Sequence, residues 1–125
     1  MIKVIVLIKR HPDLSVEGFR QRWREHARLL LETPSVVRHI LRYEQNLRTD
    51  ADYARGEVDF DGVMSAWYSN RAEMDAVFEE PEYKSKIAPD ELTLSDADRN
   101  IWIVTDEEEV FYDRIGKGPP TSRRS

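Results

Sequence analysis

The chain has 125 residues, 40% of them hydrophobic and 10% aromatic, enough to fill one core and too few for two. Its net charge of −5 argues against a nucleic-acid surface, because phosphate binding needs a clustered positive field. There is no cysteine, which excludes disulfides, thiolate chemistry and cysteine-ligated zinc or iron–sulfur centres.

Ile2 to Ile8 is rich in β-branched residues and predicts a first strand, ended by the turn at His11, Pro12 and Asp13. Ile2, Val4, Val6 and Ile8 point one way, Ile5 and Leu7 the other, so both faces need cover. Helices can roof one face; the other calls for a second sheet, most simply from another copy of the chain. The apolar run is too short for a signal-peptide core, and no window is long enough to span a bilayer, so the expectation is a cytoplasmic protein with no membrane segment.

Ser15 is placed to cap a helix that has Glu17 in its first turn, with Val16, Phe19, Trp23, Ala27 and Leu30 at helical spacing up to about Leu31. Arg20, Arg22, Arg24 and Arg28, mixed with Glu17, Glu25 and Glu32, read as a solvated face of that helix. Thr33-Pro34-Ser35 ends it. A second strand fits Arg38 to Leu47, with His39, Leu41, Tyr43, Gln45 and Leu47 on one face. Arg48 to Asp61 is a long polar loop, and Asp61-Gly62 is a turn into a third strand, Gly62 to Tyr68. Asn70 and Glu73 make a capping box for a helix with Met74, Val77 and Phe78 inward. Pro81 breaks it, a short turn through Tyr83 and Ile87 follows, Pro89 breaks that, and Asn100 to Thr105 is the last strand. The order β-α-β-β-α-β is the split βαβ arrangement of an α+β, ferredoxin-like domain. The expected division is a domain over 1–115 and a loosely held tail over 116–125.

His26 lies within the apolar stripe of the first helix, where an imidazole needs a polar partner or has a depressed pKa. Either suits a general base or acid near neutral pH; the plain alternative is a core histidine bonded to a backbone carbonyl. Asp90 either caps a short turn or orients His26 through its carboxylate. His39 and Tyr43, four apart on one strand face, would hold a carbonyl or enolate oxygen if that face lines a cleft, and would be interface residues if it meets a partner sheet. Trp23, Phe60, Trp67, Tyr68 and Phe78 are candidates for an aromatic wall against a flat ligand, or for simple core packing. Glu107-Glu108-Glu109 reads as an acidic surface run, not a metal site. The sequence has no glycine-rich phosphate loop, dinucleotide fingerprint, nucleophile elbow or paired-histidine metal motif, so the expectation is a site with no cofactor and no metal.

Phe19-x-x-x-Trp23-Arg24-x-His26, Arg42-Tyr43-x-x-Asn46, Phe60-Asp61-Gly62-Val63 leading to Trp67, Pro81-Glu82-Tyr83, and Asp90-Glu91 with Asp96 together resemble the EthD family of the dimeric α+β barrel superfamily. The resemblance implies a ferredoxin-like protomer, an antiparallel sheet with helices on one face, and two protomers joined through their sheets. The helix-one histidine of the family falls on His26 and its Asp-Glu motif on Asp90. Related barrels include isomerases, cyclases and cofactor-free monooxygenases acting on small cyclic or aromatic compounds in a cleft between helices and sheet. The expected function is a cofactor-independent isomerase, lyase or cyclase of catabolism or secondary metabolism. In it His26 moves a proton beside a carbonyl, Asp90 orients His26, and Tyr43 or His39 holds the oxyanion, while Trp23, Phe60, Trp67 and Phe78 hold the ring. The alternatives are a non-catalytic binding or accessory protein, a cofactor-free monooxygenase, and a structural dimerising domain.

Overall fold

Strand β1 runs from Ile2 to Ile8, as its β-branched content predicts, and becomes an inner strand of the sheet. In the computed structural model, which describes residues 1–117, it pairs antiparallel with β3 (Gly62–Tyr68) on one side and β4 (Ile101–Thr105) on the other. β2 (Arg42–Leu47) pairs with the far edge of β3, giving the order β2-β3-β1-β4. Among the described residues, five α-helices, α1 (Val16–Leu31), α2 (Pro34–Val37), α3 (Asp50–Tyr53), α4 (Arg71–Glu79) and α5 (Ala88–Leu94), are joined by a π-helical turn over Tyr83–Ile87 and a 3-10 turn over Ala97–Arg99. This is a ferredoxin-like α+β fold. Of the expected tail, Gly116 and Lys117 are described and the rest lies outside the described residues.

Register assigns the two faces. Val4 lies opposite Ala66, Val6 opposite Met64 and Ile8 opposite Gly62, and Tyr43 and Gln45 of β2 continue that face. These side chains meet the helices and form the core with Phe19, Trp23, Leu30, Val77, Ile87 and Leu94. The opposite face carries Ile5, Leu7, Val63, Ile101 and Ile103, and no helix among the described residues packs on it.

The local signals for α1 act as expected. Ser15 Oγ accepts from the Gly18 N–H at 3.0 Å, Glu17 and Arg28 complement the helix dipole, and Phe19, Trp23, His26 and Leu30 form the buried stripe. Phe19 and Trp23 stack with ring centroids 5.3 Å apart. Burying two such rings contributes on the order of 1.5–3 kcal/mol each.

Three elements depart from the sequence reading. The second strand begins at Arg42 rather than Arg38, because Pro34 opens a helical turn that continues through Arg38 and leaves His39 in a turn. Pro89 does not break the segment after Pro81. A π-helical turn over Tyr83–Ile87 runs directly into α5, where Pro89 sits in the first turn and needs no amide donor. The long loop is tied down as well as turned: Asp61 is fully buried, accepting from the Arg10 N–H at 2.9 Å, Arg10 Nε at 3.1 Å and the Tyr53 hydroxyl at 2.7 Å. The acidic run is also not all surface, since Glu108 accepts from Trp67 Nε1 at 2.9 Å and pairs with Lys3 at 3.4 Å.

Gly62 lies directly beneath the indole of Trp23 on α1. A Cβ there would lie 2.5 Å from Cζ3 and 2.9 Å from Cη2 of Trp23, and 3.1 Å from the Asn46 carbonyl oxygen. Trp23 is 1% exposed and has nowhere to retreat, so Gly62→Ala is expected to cost about 1–3 kcal/mol by overpacking. Urea unfolding measures this, and an unchanged midpoint would show that the indole has room to move.

Candidate active site

Between the helices and the inner face of the sheet lies a cavity of about 70 Å³. Its floor includes Val6, Met64 and Ala66, its roof Trp23, His26 and Leu30 of α1 with Ile87 and Leu94, and Trp102 of the edge strand stands at one side. The lining is mainly apolar and aromatic, with a few polar groups converging at one end: His26, Glu91 and the hydroxyl-bearing rings of Tyr43, Tyr68 and Tyr83.

His26 is buried at the depth its place in the stripe predicts, and it has its polar partner. Its Nδ1 lies 2.7 Å from Asp90 Oδ2. A carboxylate accepts, so Nδ1 carries the proton and donates, leaving the Nε2 lone pair on the cavity side. Arg22, one turn before His26 on α1, donates to the other Asp90 oxygen at 2.8 Å and to Thr93 Oγ1 at 2.8 Å. Arg22, Asp90 and His26 form one hydrogen-bonded chain that ends at the cavity. Burial lowers the His26 pKa below its ordinary value, with the Asp90 bond opposing that shift. Burial pushes the Asp90 carboxyl up, but the bonds from His26 and Arg22 outweigh it and hold the group below the usual carboxylate range.

Glu91, the next residue on α5, reaches the other side of the ring, with Oε1 3.7 Å from His26 Nε2. The Tyr83 hydroxyl donates to its two oxygens at 3.2 and 3.3 Å. Burial, reinforced by the neighbouring Asp90 charge and opposed by the Tyr83 bond, raises the Glu91 pKa to about 7. Tyr43 accepts from Gln45 Nε2 at 3.1 Å, which leaves its own proton for an acceptor in the cavity. Burial raises both Tyr43 and Tyr68 to about 12, so both remain phenol donors at neutral pH.

The structure thus gathers His26, Asp90, Tyr43, Trp23 and Phe78 of the sequence-derived candidates at one cavity, with Asp90 just behind its wall. Three others stand elsewhere. His39 is held by Glu80 at 2.8 Å and Glu73 at 3.3 Å, off the strand face it was expected to share with Tyr43. Trp67 is on the outer face of the sheet, with Lys3 and Arg42 over its ring at 4.7 and 5.3 Å. Phe60 lines a separate groove with Asn46, Leu47 and Arg48. Sequence reasoning missed Arg22, Glu91 and Tyr83, while Tyr68, weighed there as part of an aromatic wall, does line the cavity. Arg22 was grouped with a solvated face, although its spacing of four from His26 was the available signal. Glu91 stood in the Asp90-Glu91 pair without being assigned a role. Among the described residues, no cluster of histidine and carboxylate side chains is arranged to hold a metal ion. No described helix is long and apolar enough to cross a membrane.

The EthD domain matches residues 11–98, a span that includes α1 and α5 and so Arg22, His26 and Asp90. Solved structures share the fold. An EthD family protein of Bacillus halodurans C-125 is 16% identical, with 86% of this chain and 99% of that one covered at a TM-score of 0.63. A dimeric protein of unknown function and ferredoxin-like fold from Bacteroides fragilis NCTC 9343 is 16% identical, with 84% and 94% covered and a TM-score of 0.62. SnoaB, a cofactor-independent oxygenase from Streptomyces nogalater, is 12% identical, with 90% and 97% covered and a TM-score of 0.60. Comparison with curated proteins finds no match.

Glu91 gives the fold a pH dependence of definite sign. Its pKa is raised on folding, so the stability it leaves intact in acid is lost as pH climbs from its ordinary value of 4.5 through about 7. His26 acts oppositely: its folded pKa is depressed, so stability is lost as pH falls below 6.5. Glu91→Gln is therefore expected to raise the melting temperature at about pH 8 and leave it nearly unchanged at about pH 5. Melting curves at the two pH values measure the difference, and equal shifts at both would contradict the burial argument.

Proposed function

The chain belongs to the EthD family, and we propose that it is a cofactor-independent enzyme of the isomerase, lyase or cyclase type. It would act on a small cyclic or aromatic compound in the cavity beneath His26. One observation carries this reading: a buried imidazole whose Nδ1 is fixed by Asp90 while its Nε2 stands on the cavity wall. Burial keeps the ring neutral, which makes Nε2 a base, and Asp90 stabilises the imidazolium that forms once a proton is taken. The proton is one beside a carbonyl. The oxygen charge that develops on its loss would be met by the phenol of Tyr43, which stays protonated and has its hydrogen free to donate. Trp23 and Phe78 supply flat apolar walls for the ring. Arg22 takes no part in proton transfer; it holds Asp90 ionised and in place.

A positioned base of this kind contributes about a hundred- to ten-thousand-fold. With 1-tetralone in deuterated buffer, the protein is expected to speed deuterium entry beside the carbonyl, followed by NMR. His26→Asn should bring the rate down to that of buffer, and Asp90→Asn should lower it by at least about tenfold. Exchange at the unmodified rate in His26→Asn would remove the mechanism. A second reading, oxygenation of the same kind of compound, has the support of the fold shared with SnoaB. Its first step would also be deprotonation by His26, and oxygen uptake during turnover separates the two.

The uncovered face of the sheet is assigned to a second copy of the chain. Ile5, Leu7, Val63, Ile101 and Ile103 make it apolar, and ferredoxin-like structures similar to this one are described as dimeric. Light scattering at micromolar concentration is expected to give the mass of a dimer, and Ile103→Lys that of a monomer. A wild-type monomer would overturn this assignment.

A further inference from the structure

We infer that Glu91 is the second proton-transfer group of the cavity, returning a proton to the bound compound on the face from which His26 takes one. The inference rests on the reading of His26 as the base. Asp90 and Glu91 are consecutive on α5, and consecutive helical residues point about 100° apart, so the two carboxyl groups reach opposite edges of one imidazole. Asp90 meets Nδ1 at 2.7 Å, within hydrogen-bond distance. Glu91 stands 3.7 Å from Nε2, too far for a direct bond and near enough for both atoms to touch adjacent positions of one small molecule.

The surroundings of Glu91 suit a donor better than a structural ion pair. Buried carboxylates are ordinarily held by a cation, and no arginine or lysine among the described residues forms an ion pair with Glu91. The groups that face it are His26 from α1, Tyr83 from the π-helical turn, Tyr43 and Tyr68 from the sheet, and its own neighbour Asp90. Two of these, Asp90 and an ionising tyrosine, could only add negative charge. The carboxyl is thereby kept substantially protonated near neutral pH, while its side chain remains 34% accessible at the cavity wall. Asp90, bonded to Arg22 and His26, remains ionised. Two adjacent carboxyl groups thus hold different protonation states, one to orient the base and one to give a proton.

A neutral base and a neutral acid on one face suit a 1,3-proton shift in an unsaturated cyclic ketone. The Cα–H bond breaks and its proton goes to His26 Nε2, while the electron pair moves through the carbonyl and the β,γ double bond to give a dienolate. The Glu91 O–H bond then breaks and its proton forms the new Cγ–H bond, moving the double bond into conjugation. Proton return from the imidazolium to the Glu91 carboxylate, across the gap the product vacates, restores both groups. No atom or electron enters or leaves.

The probe is 3-cyclohexen-1-one, whose conversion to 2-cyclohexen-1-one is followed by ultraviolet absorbance, with deuterium entry at Cα followed by NMR in parallel. The wild type is expected to catalyse both. Glu91→Gln should lower isomerisation by about a hundredfold or more while Cα exchange persists, because His26 can still take and return its proton. His26→Asn should lose both. Glu91→Asp, which keeps the acid and shortens its reach, should recover part of the isomerisation. Isomerisation by Glu91→Gln within threefold of wild type, or wild-type exchange without isomerisation, overturns the role of Glu91 and leaves the His26 reading standing. Neither exchange nor isomerisation by the folded wild type overturns both. Circular dichroism matching the wild type and a melting temperature no lower than the wild type's ensure that a loss of rate in Glu91→Gln is not a loss of fold.

Discussion

The contact between Trp23 and Gly62 sets the height of α1 above the sheet, and the rest of the site depends on that height. The indole occupies the space a side chain at residue 62 would need, so the absence of a side chain there lets Trp23 seat over the start of β3. Three residues on, His26 is carried to the same depth, where water cannot solvate it. A polar ring placed there needs a partner from within the protein. The partner arrives on α5, whose side chains cross α1 at His26.

Desolvation and hydrogen bonding then compete at each of three groups, with different outcomes. At His26 and Glu91 burial wins, and both are driven toward their neutral forms. At Asp90 the bonds from Arg22 and His26 win, and the carboxylate stays charged. Keeping His26 and Glu91 neutral costs stability at pH values where each would otherwise be charged, whereas the bonds to Asp90 stabilise the folded state. Such divergence between neighbouring acids is how a protein assigns distinct acid and base roles to similar groups. The aromatic lining adds to it by keeping the local dielectric low.

The sheet divides the molecule into two different problems. Its inner face buries Val4, Val6 and Ile8 under helices and leaves one pocket beside them. Its outer face is apolar in the middle, yet Trp67 there is enclosed by Lys3, Arg42 and Glu108 rather than by hydrophobic neighbours. A tryptophan that looked like a ring-binding wall is thus part of a charged outer layer. One residue of register decides the difference, since Trp67 and its neighbours Ala66 and Tyr68 point to opposite faces.

Much of the fold was legible because its signals are local. β-Branched content marked β1, the Asp61-Gly62 turn marked the start of β3, a serine cap and a stripe at helical spacing marked α1 to its last residue, and the depth of His26 followed from the same stripe. Two prolines carried a local signal with two meanings, and the structure took the other one. Pro34 started a turn that shortened β2 and removed His39 from its face, and Pro89 sits in the first turn of a helix instead of ending a short turn. The site was legible only in its first half. That His26 would need a polar partner is a property of one helix and can be read from spacing. That the partner is Asp90, that Arg22 locks it, and that Glu91 faces the other nitrogen depend on how α5 crosses α1, a contact between residues 64 apart in the chain. Periodicity and capping act within a turn or two and are written in any short window, whereas the pairing of charges across helices is set by the packing of the whole core.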